Sequence, residues 1–117
     1  MSKAEAATAV FGALADPTRL KLVMRLSDGA SRSIATLSLD TSLTRQAVTK
    51  HLRVLERVRL VRSDREGRET RFALRPEGLA PARDWIDAVG AQWEEALGRL
   101  KAFVEAVPLS QGERGQG

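Results

Sequence analysis

The chain has no cysteine, no tyrosine and one histidine, His51. Missing thiols exclude disulfides, a cysteine nucleophile and sulfur-ligated metal, and fit a reducing compartment. With so few candidate acid, base or nucleophilic groups and no Gly-rich phosphate loop, neither an enzyme activity nor a cofactor is expected. Long apolar runs are lacking as well. The start, Met1-Ser2-Lys3-Ala4-Glu5, leads into an alanine-rich stretch broken by Gly12 and Asp16, which suits neither a signal peptide nor a membrane span. The expected location is the cytoplasm, with no membrane association.

What is present is enough for one small domain. Of 117 residues, 43% are hydrophobic, which can supply a core over 1–107. The last stretch, 108–117, carries almost nothing to bury and is expected to be a disordered tail. The net charge is +4, and it is unevenly placed. From Thr44 to Arg75 ten Lys/Arg face four Asp/Glu, a local +6 that leaves −2 for the remainder. Such segregation suits a surface that meets phosphates, although a solvated charged face would have the same composition.

Apolar spacing predicts a helix over Ala4 to Leu14 through Ala7, Val10, Phe11 and Leu14, broken at Ala15-Asp16-Pro17. Asp16 as N-cap and Pro17 at the first helical position begin a second helix, with Leu20, Val23, Met24 and Leu26 as its inward stripe and Asp28-Gly29 as its end. Ile34 and Leu37 mark a short third helix, capped by Ser31 or Ser33. Thr44 then caps a fourth helix, with Leu43 and Val48 placed as a hydrophobic staple. Val48, Leu52 and Leu55 form its inward stripe, so Arg45, Gln46, Thr49, Lys50 and Arg53 are left facing outward.

From Leu60 the period becomes two, with Thr70, Phe72 and Leu74 alternating with Arg71, Ala73 and Arg75 around a Glu66-Gly67 turn. Pro76 to Pro81 reads as a loop. Trp85, Ile86, Val89, Trp93, Leu97, Leu100 and Val104 then recur along one long helix. The fold class expected is mainly α with a small β-hairpin: a winged helix-turn-helix of about five helices and a two-stranded wing.

That order of elements implies binding to double-stranded DNA. A major groove admits one α-helix, and the first turns of the second helix of the pair reach base edges. Arg45 can bond guanine O6 and N7, Gln46 can pair with adenine N6 and N7, and Thr49 and Lys50 can meet a thymine methyl or a phosphate. Thr44, His51 and Arg53 complete the contact set on helix 44–57, and Arg65 and Arg68, beside Gly67, reach the backbone or minor groove from wing 60–75. Arg71 and Arg75 lie outward, where charge also guards a strand against edge pairing. A protein-interaction module on the same scaffold, without specific DNA binding, is the competing reading.

Three segments resemble the ArsR/SmtB family: Ala13-Leu14-Ala15-Asp16-Pro17-Thr18-Arg19-Leu20, Leu43-Thr44-Arg45-Gln46-Ala47-Val48-Thr49-Lys50-His51-Leu52, and Arg65-Glu66-Gly67-Arg68. The resemblance covers about residues 4 to 105. It implies a winged-helix homodimer, usually a repressor, touching DNA through the positions of Thr44, Arg45, Gln46, Thr49 and Lys50 and through the wing tip. One departure is Val58-Arg59-Leu60, where the family usually has Ala-Gly-Leu.

Many members of that family sense metals. The Cys-Val-Cys ligand segment falls here on Ser33-Ile34-Ala35, and the last helix offers Asp84, Asp87, Glu94 and Glu95 but no histidine, so no metal site is expected. His51 reads as a phosphate contact or a helix-packing residue, and no small-molecule inducer is legible. The two tryptophans and the rest of their stripe exceed what so small a core needs. Val10, Phe11, Trp85, Val89, Trp93, Leu97 and Leu100 are therefore the expected dimer surface.

Overall fold

The structure, a computed structural model, describes residues 2–106. The expected tail, 108–117, lies outside them. The described residues divide into two compact units, 2–85 and 86–106.

Helix α1, Lys3–Leu14, opens on a capping box: the Ser2 hydroxyl accepts from the Glu5 N–H while the Glu5 carboxylate accepts from the Ser2 N–H. Its buried residues are Ala7, Val10 and Ala13. Val10 is therefore a correction to the expected dimer surface, because its side chain is already used in the protomer's own core; Phe11 beside it is exposed.

Helix α2, Pro17–Arg25, starts as expected, with Asp16 accepting from the Arg19 N–H at 3.0 Å and Pro17 in the first turn. Its inward stripe is Leu22, Val23 and Leu26, whereas Leu20 and Met24 are 46% and 67% exposed. Two apolar stripes run along this short helix, and only packing against its neighbours selects one.

Strand β1 is two residues long, Arg32–Ser33, and leads directly into helix α3, Ile34–Ser38, which Ser33 caps by accepting from the Thr36 N–H. Helix α4, Arg45–Arg57, is capped by Thr44, whose Oγ1 accepts from the Ala47 N–H at 3.1 Å. Val48, Leu52 and Leu55 are fully buried beneath it, and Leu43 packs against the same core.

Strands β2, Val61–Glu66, and β3, Glu69–Leu74, form an antiparallel hairpin closed by Gly67-Arg68. Gly67 has φ +65°, as the first position of a II′ turn requires. The expected two-stranded wing is present, and β1 extends it to a three-stranded sheet of order β1-β3-β2, with Arg32 opposite Phe72 and Ser33 opposite Arg71. A two-residue strand has no alternation to read, so the sequence carries no trace of it. A 3-10 turn, Pro76–Leu79, occupies most of the expected loop before helix α5, Ala80–Ala106.

In the first unit, Leu22, Leu26, Leu37, Val48, Leu52, Leu55, Leu60, Val61 and Phe72 are the large side chains sealed from solvent. Burying each contributes about 1.5–3 kcal/mol, so this cluster holds the helix pair α3–α4 rigidly under its exposed face. In the second unit Val89 is half-buried, and the larger apolar residues of α5 remain exposed, Trp93 by 63% and Leu100 by 58%.

Candidate nucleic-acid interface

With the inward stripe of α4 fixed, the helix has one surface left to present. Arg45, Gln46 and Lys50 are exposed on it. Thr49 lies among them, its hydroxyl donating to the Arg45 carbonyl at 2.7 Å. With its one proton so engaged, Thr49 offers a methyl group and acceptor lone pairs to a partner.

The wing stands beside this surface. Pairing across the hairpin puts Ser63 opposite Phe72 and Arg65 opposite Thr70, so Arg65 shares the sheet face through which Phe72 enters the core. An open groove of about 470 Å³ runs between α3, α4 and the wing tip. Its walls are Ser33, Ile34 and Ala35 on one side, Arg45, Gln46 and Thr49 on the second, and Arg68, Glu69 and Thr70 on the third.

The basic residues of this region sort into two groups. Arg53 pairs with Glu56, Arg62 with Asp64, Arg71 with Glu69 and Arg75 with Glu77. Arg71 also donates twice to Ser31, through Nε to the hydroxyl and Nη2 to the carbonyl. By contrast, among the described residues Arg45, Lys50, Arg65 and Arg68 have no ion-pair or side-chain hydrogen-bond partner. Among the described residues Arg57 and Arg59, exposed at the far end of α4, are likewise unpaired, so the unpaired cations lie on the reading turns, at the end of α4 and at the wing tip. Unpaired guanidinium and ammonium groups at concave edges are free to exchange counterions for phosphates.

His51 and Arg53, both of the expected contact set, have side-chain partners inside the protein. Arg19 Nη1 donates to His51 Nδ1 at 3.2 Å, and Asp16 Oδ2 lies 3.8 Å from that nitrogen. An arginine has no acceptor, so Nδ1 receives the bond and the ring proton sits on Nε2. Arg19 also donates to the last carbonyls of α1, at Ala13 (2.6 Å) and Gly12 (3.5 Å), so the His51 ring is held in a junction of α1, α2 and α4. Arg53 bonds Glu56 and Ser63 and lies 5.3 Å from the Phe72 ring centroid. Arg19, Glu56, Ser63 and the Arg71–Ser31 contact were not legible beforehand, because each depends on segments joined only by folding.

Ser33, where the resemblance places a thiolate ligand, is buried and spends its hydroxyl on the α3 cap and on Thr36. Among the described residues no helix is long and apolar enough to cross a membrane.

Helix α3, the turn before Thr44, helix α4 and the following basic hairpin define a winged helix-turn-helix protein. Residues 16–63 match the family model for bacterial regulatory proteins of the arsR family. The chain is 42% identical over 108 residues to the HTH-type transcriptional regulator CmtR of Mycobacterium bovis, spanning 92% of this chain and 79% of that one. It superposes on an ArsR-like transcriptional regulator from Rhodococcus sp. RHA1 with a TM-score of 0.74 and 32% identity, over 88% of this chain and 96% of that one. A homodimeric winged helix-turn-helix DNA-binding domain from Mycobacterium bovis shares the fold at a TM-score of 0.59 and 22% identity, over 75% and 81%. The chain belongs to the arsR family of bacterial regulatory proteins and is a DNA-binding transcriptional regulator.

Proposed function

We propose that this regulator is a sequence-specific repressor that binds its operator as a homodimer in the cytoplasm, where the DNA is. One observation carries the reading: Arg45 and Lys50 in α4's first two turns and Arg65 and Arg68 at the wing tip are cations without an internal partner among the described residues, and Arg45 and Arg68 line one groove. Arg45 and Gln46 read base edges, Thr44, Thr49 and Lys50 support them, and Arg65 and Arg68 hold the flanking backbone. His51 and Arg53 act from behind, by fixing α4.

The dimer surface is the apolar face of α5, with Trp85, Val89, Trp93, Leu97 and Leu100; in the first unit, Phe11 of α1 is a further exposed apolar residue offered to a partner subunit. Seven large apolar side chains of α5 stand exposed in the single chain, a patch that a soluble monomer rarely keeps. The homodimeric domain that shares the fold supports the same assembly.

Footprinting on the region upstream of the protein's own gene, at two salt concentrations, tests this directly. The expected result is two protected half-sites about one helical turn apart, with log affinity falling steeply against log salt. Equal affinity for random and upstream duplexes would defeat the specificity.

A further inference from the structure

Arg53, Glu56 and Ser63 make a three-way contact between α4 and the middle of the wing. Arg53 Nη1 donates to Glu56 Oε1 at 2.7 Å and to Ser63 Oγ at 3.3 Å, and Ser63 Oγ donates to Glu56 Oε2 at 2.6 Å. The guanidinium also lies against Phe72, the residue paired with Ser63 across the hairpin. On the other strand, Arg71 ties β3 to Ser31 at 3.1 and 2.8 Å. The hairpin is thus gripped at its middle, at the third and fourth of its six register pairs, while Arg65 and Arg68 beyond that point have no side-chain bond among the described residues.

A hairpin held this way acts as a lever. At about 3.4 Å per residue, the turn lies about 14 Å beyond Ser63, so a tilt of about 10° at that point displaces the tip by about 2–3 Å. That displacement is enough to lose a hydrogen bond to a phosphate. The placement of Glu56 is informative for a second reason: a carboxylate on a helix that faces DNA repels the backbone. Glu56 is instead engaged on both oxygens, by Arg53 and by Ser63.

We propose that the Arg53–Glu56–Ser63 contact sets the reach of the wing, so that Arg65 and Arg68 meet the backbone while Arg45 and Gln46 occupy the groove. Glu56 and Ser63 are positioning residues that act through the wing. The proposal rests on the DNA-binding reading above.

The sign of the effect distinguishes it from simple electrostatics. Removing a negative charge would tighten DNA binding, whereas releasing the wing weakens it. The measurement is the affinity of the full-length protein for a duplex from upstream of its own gene, over a salt series, with thermal unfolding as a check on the fold.

Glu56→Ala is expected to weaken binding about tenfold and to lower the salt slope about as much as the wing variant Arg65→Ala/Arg68→Ala. Adding Glu56→Ala to the wing variant should cost nothing further, since the contacts it positions are already gone. Ser63→Ala, the milder change, should act in the same direction, and Ser63→Thr should restore binding. Unchanged or tighter binding by Glu56→Ala and Ser63→Ala, or losses that add to those of the wing variant, overturns the proposal while leaving the DNA-binding reading intact. A wild-type protein with no salt-dependent binding would defeat that reading and this proposal with it.

Discussion

The carbonyl of Arg59 occupies the place where a side chain at Gly78 would begin, so the end of α4 and the turn before α5 are in backbone contact. Arg59 itself has φ +65°, a left-handed conformation that favours glycine. The cause is the way α4 ends. The Leu60 N–H bonds the Leu55 carbonyl at 3.0 Å and the Arg59 N–H bonds that of Glu56 at 2.9 Å, the two bonds of a Schellman motif, with Leu55 and Leu60 both buried. The motif is complete, but its left-handed position holds an arginine.

Two opposite substitutions follow. Arg59→Gly relieves the left-handed strain of about 1–2 kcal/mol, less the added freedom of glycine in the unfolded chain, for a net gain of roughly 0.5–1 kcal/mol. Gly78→Ala forces the two backbones apart at a cost of about 1–3 kcal/mol. Urea unfolding of both variants checks the pair, and a stabilised Gly78→Ala would contradict the packing.

The contrast between α4 and α2 shows what the sequence carries. On α4, apolar and polar residues separate cleanly, so Val48, Leu52 and Leu55 could be assigned inward and Arg45, Gln46 and Lys50 outward before folding. On α2, Leu20 and Met24 compete with Leu22 and Leu26 for the core, and the choice is made by neighbours distant in sequence. The same limit hid the β1 strand and the partners of Arg53 and His51. Cap positions were better marked, since Asp16, Ser33 and Thr44 each bond an N–H three residues ahead.

Base reading and backbone holding should separate by mutation. Arg45→Ala is expected to cost about 1–3 kcal/mol on the operator and to relax discrimination at one base pair. Lys50→Ala should weaken operator and random duplexes alike and lower the salt slope by about one per protomer. Competition binding with single-base operator variants resolves the two patterns.

Assembly depends on α5. Trp93→Asp puts a charge in the middle of the exposed stripe and is expected to shift the protein from dimer to monomer in sedimentation velocity, with a large loss of operator affinity. Because the chain has no tyrosine, its near-ultraviolet fluorescence comes from Trp85 and Trp93. Diluting the wild-type dimer should therefore move the emission to longer wavelength.

Acid stability has a defined sign. Glu56 is held below its ordinary 4.5 chiefly by the hydroxyl of Ser63, with Arg53 helping against partial desolvation. Asp16 is lowered too, first by the Arg19 N–H. A carboxylate with a depressed folded-state value contributes stability above its unfolded value, and that contribution is lost as pH falls through the folded one. The contribution of these two carboxylates should be level from neutral pH to about pH 5 and decline below about pH 4. Glu56→Gln should flatten part of the decline, as seen in urea midpoints across the series.

The junction at His51 can be separated from any DNA contact. Its Nδ1 accepts from Arg19, which in turn caps the α1 carbonyls of Ala13 and Gly12. Asparagine places an acceptor near Nδ1, so His51→Asn should keep most of the stability, whereas His51→Leu leaves an arginine donor without its acceptor and should cost about 1–3 kcal/mol. Arg19→Lys removes the fork that reaches α1 and α4 together and should lose stability in the same range. If His51 acts only through packing, His51→Asn retains the wild-type salt slope on operator DNA. A slope reduced by about one per protomer in a fully folded His51→Asn protein would instead show that the ring touches a phosphate.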